Sequence, residues 1–199
     1  AVANAANLPV ADVRRAAMIA GGIAAVAASA LTLGAAGLQA VSIALFQPLA
    51  PMLAQPADNI DDALARIPEA SIEWKLDGAR VQVHKAGNEV RVFSRTGNDL
   101  TAAAIEVVEA VRALDADTVI LDGEAIALRR DGSPYPFQDT MRRFGRVLDI
   151  ERMRETMPLS VFFFDCLHLN NEDLVGLGGR ERFKALSDAV PPSMVIPRV

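Results

Sequence analysis

From Val10 to Phe46 apolar and small residues crowd the chain without a polar face wide enough for an isolated amphipathic helix. Two helices are predicted here, broken near Gly34–Gly37, and both need packing partners. Pro48, Pro51 and Pro56 end the helical pattern in the stretch QPLAPMLAQP, which divides residues 1–47 from residues 48–199. A short helix over Asn59–Ile67 follows, with Ile60, Ala63, Leu64 and Ile67 at helical spacing. After Pro68 the period becomes alternating. Strands are predicted over Ser71–Asp77, Ala79–Lys85 and Glu89–Arg95, the last two joined by a turn at Ala86-Gly87-Asn88. Ala102–Leu114 reads as a helix with an Ile105, Val108, Val111 and Leu114 stripe, and Asp117–Leu128 as a strand before a turn at Asp131–Pro134. A basic helix over Phe137–Phe144, a nearly continuous apolar strand over Leu159–Leu169, a helix over Gly179–Val190 and a short strand over Met194–Val199 complete the pattern. The fold class expected is α/β of the α+β kind, mainly antiparallel, preceded by part of an all-α unit.

The chain has 199 residues, 51% of them hydrophobic, enough for one full domain or one domain plus a partial neighbour. Its single cysteine, Cys166, sits in an apolar run and reads as a buried thiol; no disulfide within the chain is possible, which fits a reducing, cytoplasmic setting. The formal charge of -5 argues against a general basic footprint for nucleic acid. Charge is uneven, however: Arg142, Arg143, Arg146, Arg152 and Arg154 crowd one stretch. A solvated helix face and a row of contacts to a phosphate backbone are both open readings of the first three. Ala16–Phe46 carries no charge and is long enough to span a bilayer, yet its Ala, Gly, Ser and Thr content fits closely packed helices better than a membrane segment. His84 and His168 stand apart, so a zinc site is not expected.

The segment Glu73-Trp74-Lys75-Leu76-Asp77-Gly78-Ala79-Arg80 concentrates chemistry. Alternation puts Glu73, Lys75 and Asp77 on one face and makes Trp74 a core anchor on the other. A solvent-facing row of mixed charges would look the same. The Gly78 turn adds a guanidinium, Arg80, near the lysine, an arrangement suited to a phosphate oxygen. A lysine nucleophile must first shed its proton; flanking carboxylates oppose that, while Arg80, burial or an arriving divalent cation favour it, and spacing does not choose between them. Ser94-Arg95-Thr96-Gly97, taken alone, is an ordinary strand-end turn. Asp122-Gly123 is a common turn pair, but flanking strand residues make Glu124 a cleft candidate. By alternation Phe163 points away from the face shared by Phe162 and Phe164.

E-W-K-L-D-G-A-R resembles the signature of the covalent nucleotidyltransferases, the superfamily of DNA ligases, RNA ligases and messenger-RNA capping enzymes. Ser94–Gly97, Leu121–Glu124 and Phe163–Asp165 resemble its next three elements, in the same order, and the similarity runs from about Pro51 to the C-terminus. The resemblance implies the antiparallel-sheet nucleotidyltransferase core of the ATP-grasp-like DNA ligase type. Residues 1–47 are similar to the last helices of the helical DNA-binding domain, and residues 48–199 to the N-terminal part of the adenylation domain. It further implies an ATP-dependent enzyme in which Lys75 takes up AMP and nicked duplex DNA is sealed during repair or replication. Arg80 and Arg95 would stabilise phosphate, Glu124 would serve ribose or Mg2+, Phe164 would stack on adenine, and Glu73 would lie against the base. RNA ligase or capping-type activity, or a non-catalytic nucleic-acid-binding module, are the alternatives. The family's later E-G-x-[VM]-x-K and K-x-K elements are not found in these residues, so the 199-residue chain is expected to be incomplete for full activity.

Overall fold

Alternation along β1 (Ala79–Ala86) assigns its side chains to two different environments. Ala79, Val81 and Val83 enter the main core together with Leu121, Ala125 and Phe163. Arg80, Gln82 and His84 occupy the other face. The computed structural model describes residues 1–52, 54–67, 69–145 and 150–199. Around β1 stand β2 (Glu89–Ser94), β3 (Thr118–Ala127), β4 (Leu159–Leu169) and the two-residue β5 (Glu172–Asp173). Their spatial order is β2-β1-β3-β4-β5, every pairing antiparallel.

α5 (Ile105–Arg112) closes the core face with Val107, Val108 and Val111, and α8 (Gly179–Ala189) with Leu186. The predicted Ala102–Leu114 helix is thus divided into a 3-10 turn, Thr101–Ala103, and α5, because Ala104 leaves helical geometry at φ -119° and ψ 46°. Three helices form a separate cluster: α1 (Val2–Ala6), α2 (Val10–Ile19) and α3 (Ile23–Gln39) bury Ala3, Val13, Ala16, Val26, Ala30 and Leu38 against one another. The break expected near Gly34–Gly37 occurs inside α3 at Gly34, whose φ of 60° no side-chain-bearing residue adopts readily. A second break, not expected, lies at Gly21 and Gly22. Among the described residues no helix is long and apolar enough to cross a membrane.

The remaining helices are short: α4 (Ile60–Arg66), α6 (Phe137–Gly145) and α7 (Ile150–Thr156). Asn59 caps α4 by accepting the Asp62 N–H at 2.9 Å. Two predicted strands do not form. Residues 71–77 contribute only a bridge from Glu73 to Arg198, and the 194–199 stretch is a 3-10 turn, Pro192–Met194, followed by isolated bridges. A strand needs a continuous partner, and these two segments touch only near Ile72 and Val199, where paired N–H and C=O groups meet at 2.8 and 3.1 Å. Trp74, expected as a core anchor, is correspondingly 70% exposed.

Residues 43–50, between α3 and α4, lie across the second face of the sheet. Leu49 packs there on Ile120 and Leu167, and the Phe46 N–H donates to His84 Nδ1 at 2.9 Å. His84 is fully buried, and burial, with the charge of His168 second, pushes its pKa down to about 4.

Arg143 departs from the expected surface role. It is fully buried, and one terminal nitrogen of its guanidinium reaches both Glu106 carboxylate oxygens at 3.0 Å while the other donates to the Ala103 carbonyl at 2.9 Å. A side chain held in that way does not touch a phosphate backbone. Arg142 is exposed and pairs with Asp139, and Arg146 lies outside the described residues.

Removing one partner of a buried ion pair leaves the other charged and unpaired. Arg143→Met is therefore expected to cost about 3–5 kcal/mol in urea unfolding, and Arg143→Met combined with Glu106→Leu to recover much of that loss. For His84 the folded state favours the neutral ring, so the unfolded chain binds more protons below its ordinary value of 6.5. Stability should fall as pH drops from about 6.5 and level off near 4. Urea midpoints measured across that window should decline less steeply in His84→Phe than in the parent.

Candidate active site

Two loops, four strands and a helix meet at a cleft of about 660 Å³, a size common for small-molecule sites. Lys75, Asp77 and Arg80 come from the first loop and the start of β1, Ser94, Arg95, Thr96 and Asn98 from the end of β2, Glu124 from β3 and Phe164 from β4. Phe137, Met141 and Phe144 of α6 form an apolar wall. Sequence reasoning did not assign that wall; the strong apolar stripe of α6 was the signal, read there only as a basic helix.

Two glycines let these loops come so close. A Cβ on Gly78 would stand 2.4 Å from the Ala125 carbonyl oxygen, so the turn after Asp77 passes β3 without room for a side chain. That approach lets the Gly78 N–H donate to Glu124 Oε1 at 3.1 Å. A Cβ on Gly123 would meet the Phe163 ring at 2.7 Å and the Phe162 carbonyl oxygen at 2.8 Å. The Asp122-Gly123 pair is therefore the middle of a strand and not a turn.

Phe164 reaches the cleft through a β-bulge. Asp122 pairs with Asp165 and Gly123 with Phe163, which leaves Phe164 as an extra residue without a partner on β3. Its neighbour Phe163 is fully buried in the core, as alternation requires. The Arg80 guanidinium lies 5.4 Å from the Phe164 ring centre and donates to Asp122 Oδ2 at 2.7 Å.

The lysine is available. Lys75 has 88% of its side chain exposed, with Nζ donating to the Leu76 carbonyl at 3.1 Å and standing 3.9 Å from Asp77 Oδ1. Lys85, by contrast, is buried and donates to the carbonyls of Leu114 and Ala116. Lys184 pairs with Asp188 on the surface of α8. Arg95 is exposed and forms no ion pair among the described residues. Its turn is held by the Ser94 hydroxyl, which accepts the Asn98 N–H at 3.1 Å. Lys75, Arg80 and Arg95 line the cleft with Asp77 and Glu124; Asp122 balances Arg80 from behind, and the exposed Lys75 and Arg95 are the cations open to an anionic ligand. Burial raises the Glu124 pKa, against the Gly78 N–H, Lys75 and Arg80, which lower it.

Glu73 lies outside the cleft lining. It forms an ion pair with Arg198, whose Nη2 donates to the Phe164 carbonyl at 3.0 Å and whose guanidinium stacks 3.9 Å from the Phe183 ring centre. Sequence reasoning missed Arg198, since nothing in its local pattern marks it. Phe164 also lines a second cavity on that side, of about 850 Å³, bounded by Arg182, Phe183 and Arg198.

No group of three or more His, Cys, Asp or Glu side chains gathers to hold a metal among the described residues. Magnesium does not require one, because it keeps several waters and binds through one or two carboxylates plus substrate phosphates. Glu124 and Asp77 fit that donor set.

Residues 51–197 match the family described as ATP dependent DNA ligase domain. Over 199 residues the chain is 59% identical to a probable DNA ligase of Anaeromyxobacter sp. (strain Fw109-5), covering 100% of this chain and 38% of the relative. It is 53% identical over 199 residues to a probable DNA ligase of Sorangium cellulosum (strain So ce56), covering 37% of that protein. The chain thus spans well under half of these relatives. A solved mycobacterial DNA ligase D complexed with ATP and MES aligns at 25% identity with a TM-score of 0.46, over 64% of this chain and 39% of that one. With the match running through every element that builds the cleft, the chain belongs to the ATP-dependent DNA ligase domain family.

Proposed function

We propose that this chain supplies the adenylation cleft of an ATP-dependent DNA ligase that seals nicks in duplex DNA. The observation that carries this reading is the convergence of Lys75, Arg80, Arg95, Glu124 and Phe164, from four separated segments, on one cleft. Residues 1–47 fit the end of a preceding helical DNA-binding unit, and residues 48–199 the front of the adenylation domain.

In the first step Lys75, whose exposed ammonium gives up a proton to solvent, attacks the α-phosphorus of ATP through Nζ, the bond to the β-phosphate oxygen breaks, pyrophosphate leaves, and a lysyl-AMP phosphoramidate remains. AMP then passes to the 5′-phosphate at a nick, and the 3′-hydroxyl displaces it to form the phosphodiester. Arg80 and Arg95 supply donors to phosphate oxygens, and Arg80 does so from a position fixed by Asp122. Phe164 offers its ring face to the adenine. Glu124 stands beside Gly78, where it serves the ribose or Mg2+. Bound magnesium would neutralise phosphate charge at this edge of the cleft. Glu73 stays paired with Arg198 behind Phe164, a position from which it supports the base-binding wall.

Lys75→Arg in the complete protein keeps the charge and removes the nucleophile, since a guanidinium stays protonated. Incubation with labelled ATP and magnesium should give no acid-labile AMP adduct in this variant, while a nick supplied already adenylated is still sealed. Peptide mapping that finds AMP on Lys85 or Lys184 would overturn the assignment. Glu124→Gln is expected to slow metal-dependent adenylation on the order of 10–100-fold with little change in unfolding midpoint. A large loss of stability at unchanged activity per folded molecule would make Glu124 a structural residue.

A further inference from the structure

The polar face of β1 holds one connected chain of hydrogen bonds whose polarity is set at every link. Because the Phe46 N–H donates to His84 Nδ1 at 2.9 Å, that nitrogen carries no proton, and the proton of the neutral ring resides on Nε2. Nε2 stands 3.0 Å from Gln82 Oε1 and donates to it. The same oxygen accepts the Leu49 N–H at 2.7 Å, so the amide is oriented with Nε2 toward Asp122, whose Oδ1 accepts it at 3.0 Å. Asp122 Oδ2 in turn holds Arg80 Nη2 at 2.7 Å. Gln82, His84 and Asp122 are each buried, so no link is easily replaced by water. Arg80 is the end of the chain that reaches the cleft.

We propose that Gln82 and His84 are positioning residues for adenylation: through Asp122 they hold the Arg80 guanidinium at the cleft and tie its position to the backbone of Phe46 and Leu49. The proposal rests on the reading of the cleft given above. An arginine that must meet a phosphate oxygen gains from a carboxylate held at both oxygens, because a freely rotating Asp122 would let the guanidinium swing toward the neighbouring cavity of about 330 Å³, which Arg80 and Asp122 also line. The link to residues 46–49 gives that stretch, which joins the helical cluster to the sheet, a direct hold on a group in the cleft.

The test is a double-mutant cycle in the complete protein, reading the single-turnover rate of lysyl-AMP formation from labelled ATP, with thermal melts giving the folded fraction. Gln82→Met removes both ends of the amide link at similar volume, and His84→Phe keeps the ring while removing both ring nitrogens. Each is expected to slow adenylation about tenfold per folded molecule in the parent and to have almost no further effect in Arg80→Ala, while lowering the melting temperature equally in both backgrounds. A purely structural role would lower the rate by the same factor with or without Arg80, and that result would overturn the proposal. So would parent-like adenylation in both Gln82→Met and His84→Phe beside a slowed Arg80→Ala, which would leave the proposed function standing. Unchanged adenylation in Arg80→Ala itself would overturn the role given to the cleft arginine and the relay with it.

Discussion

Pairing of β1 with β3 sets Arg80 across from Glu124 and Gln82 across from Asp122, with Val81 and Val83 facing the core between them. Side chains on a strand alternate strictly, so a slip of one residue would put the arginine and glutamine into the main core and the valines among the polar groups of the other face. The register is therefore held by the apolar face, and the polar face inherits its geometry at no further cost in specification. Arg80 and Glu124 stand side by side at the cleft because of that register.

The polar face is covered by residues 43–50, and this is what makes its polar groups exacting. Buried donors and acceptors without partners cost free energy, and here Gln82, His84 and Asp122 satisfy one another and two backbone N–H groups of the covering segment. Much the same logic places Arg143 within the core edge, where Glu106 and the Ala103 carbonyl answer its two terminal nitrogens while its Nε is left without a hydrogen bond. Arg143, in a basic run, is thus a structural group, whereas Arg80, held by Asp122, lines the cleft. Surroundings separate the two; residue type does not.

Local charge also outweighs the total. The chain carries a formal charge of -5, yet three cations and two carboxylates line the cleft, because the Lys75–Arg80 stretch and the Arg95 turn meet there. Family membership agrees with that arrangement, since the matched region, residues 51–197, contains every one of these segments.

Long periodic stretches were legible without coordinates: Leu159–Leu169 is a strand with those limits, and the Gly87-Asn88 hairpin joins the strands expected on either side. Arg95, Glu124 and Phe164 were named through the resemblance of their motifs to a known family, as were the roles of Lys75 and Arg80, and all five line one cleft. Local sequence carries such information because alternation, turn residues and helical spacing are properties of neighbouring positions. Trp74, Arg143 and the 71–77 segment were misjudged for the converse reason: whether an alternating stretch finds a partner strand, or a charge finds a buried carboxylate, is decided by residues that are distant in the chain. The bulge that turns Phe164 into the cleft depends on the β3–β4 register, and the relay from Phe46 to Arg80 depends on which segment covers the sheet. Composition and periodicity determined most of the elements and the chemical groups available; tertiary packing alone decided which groups are buried, which are paired, and which are left facing the cleft.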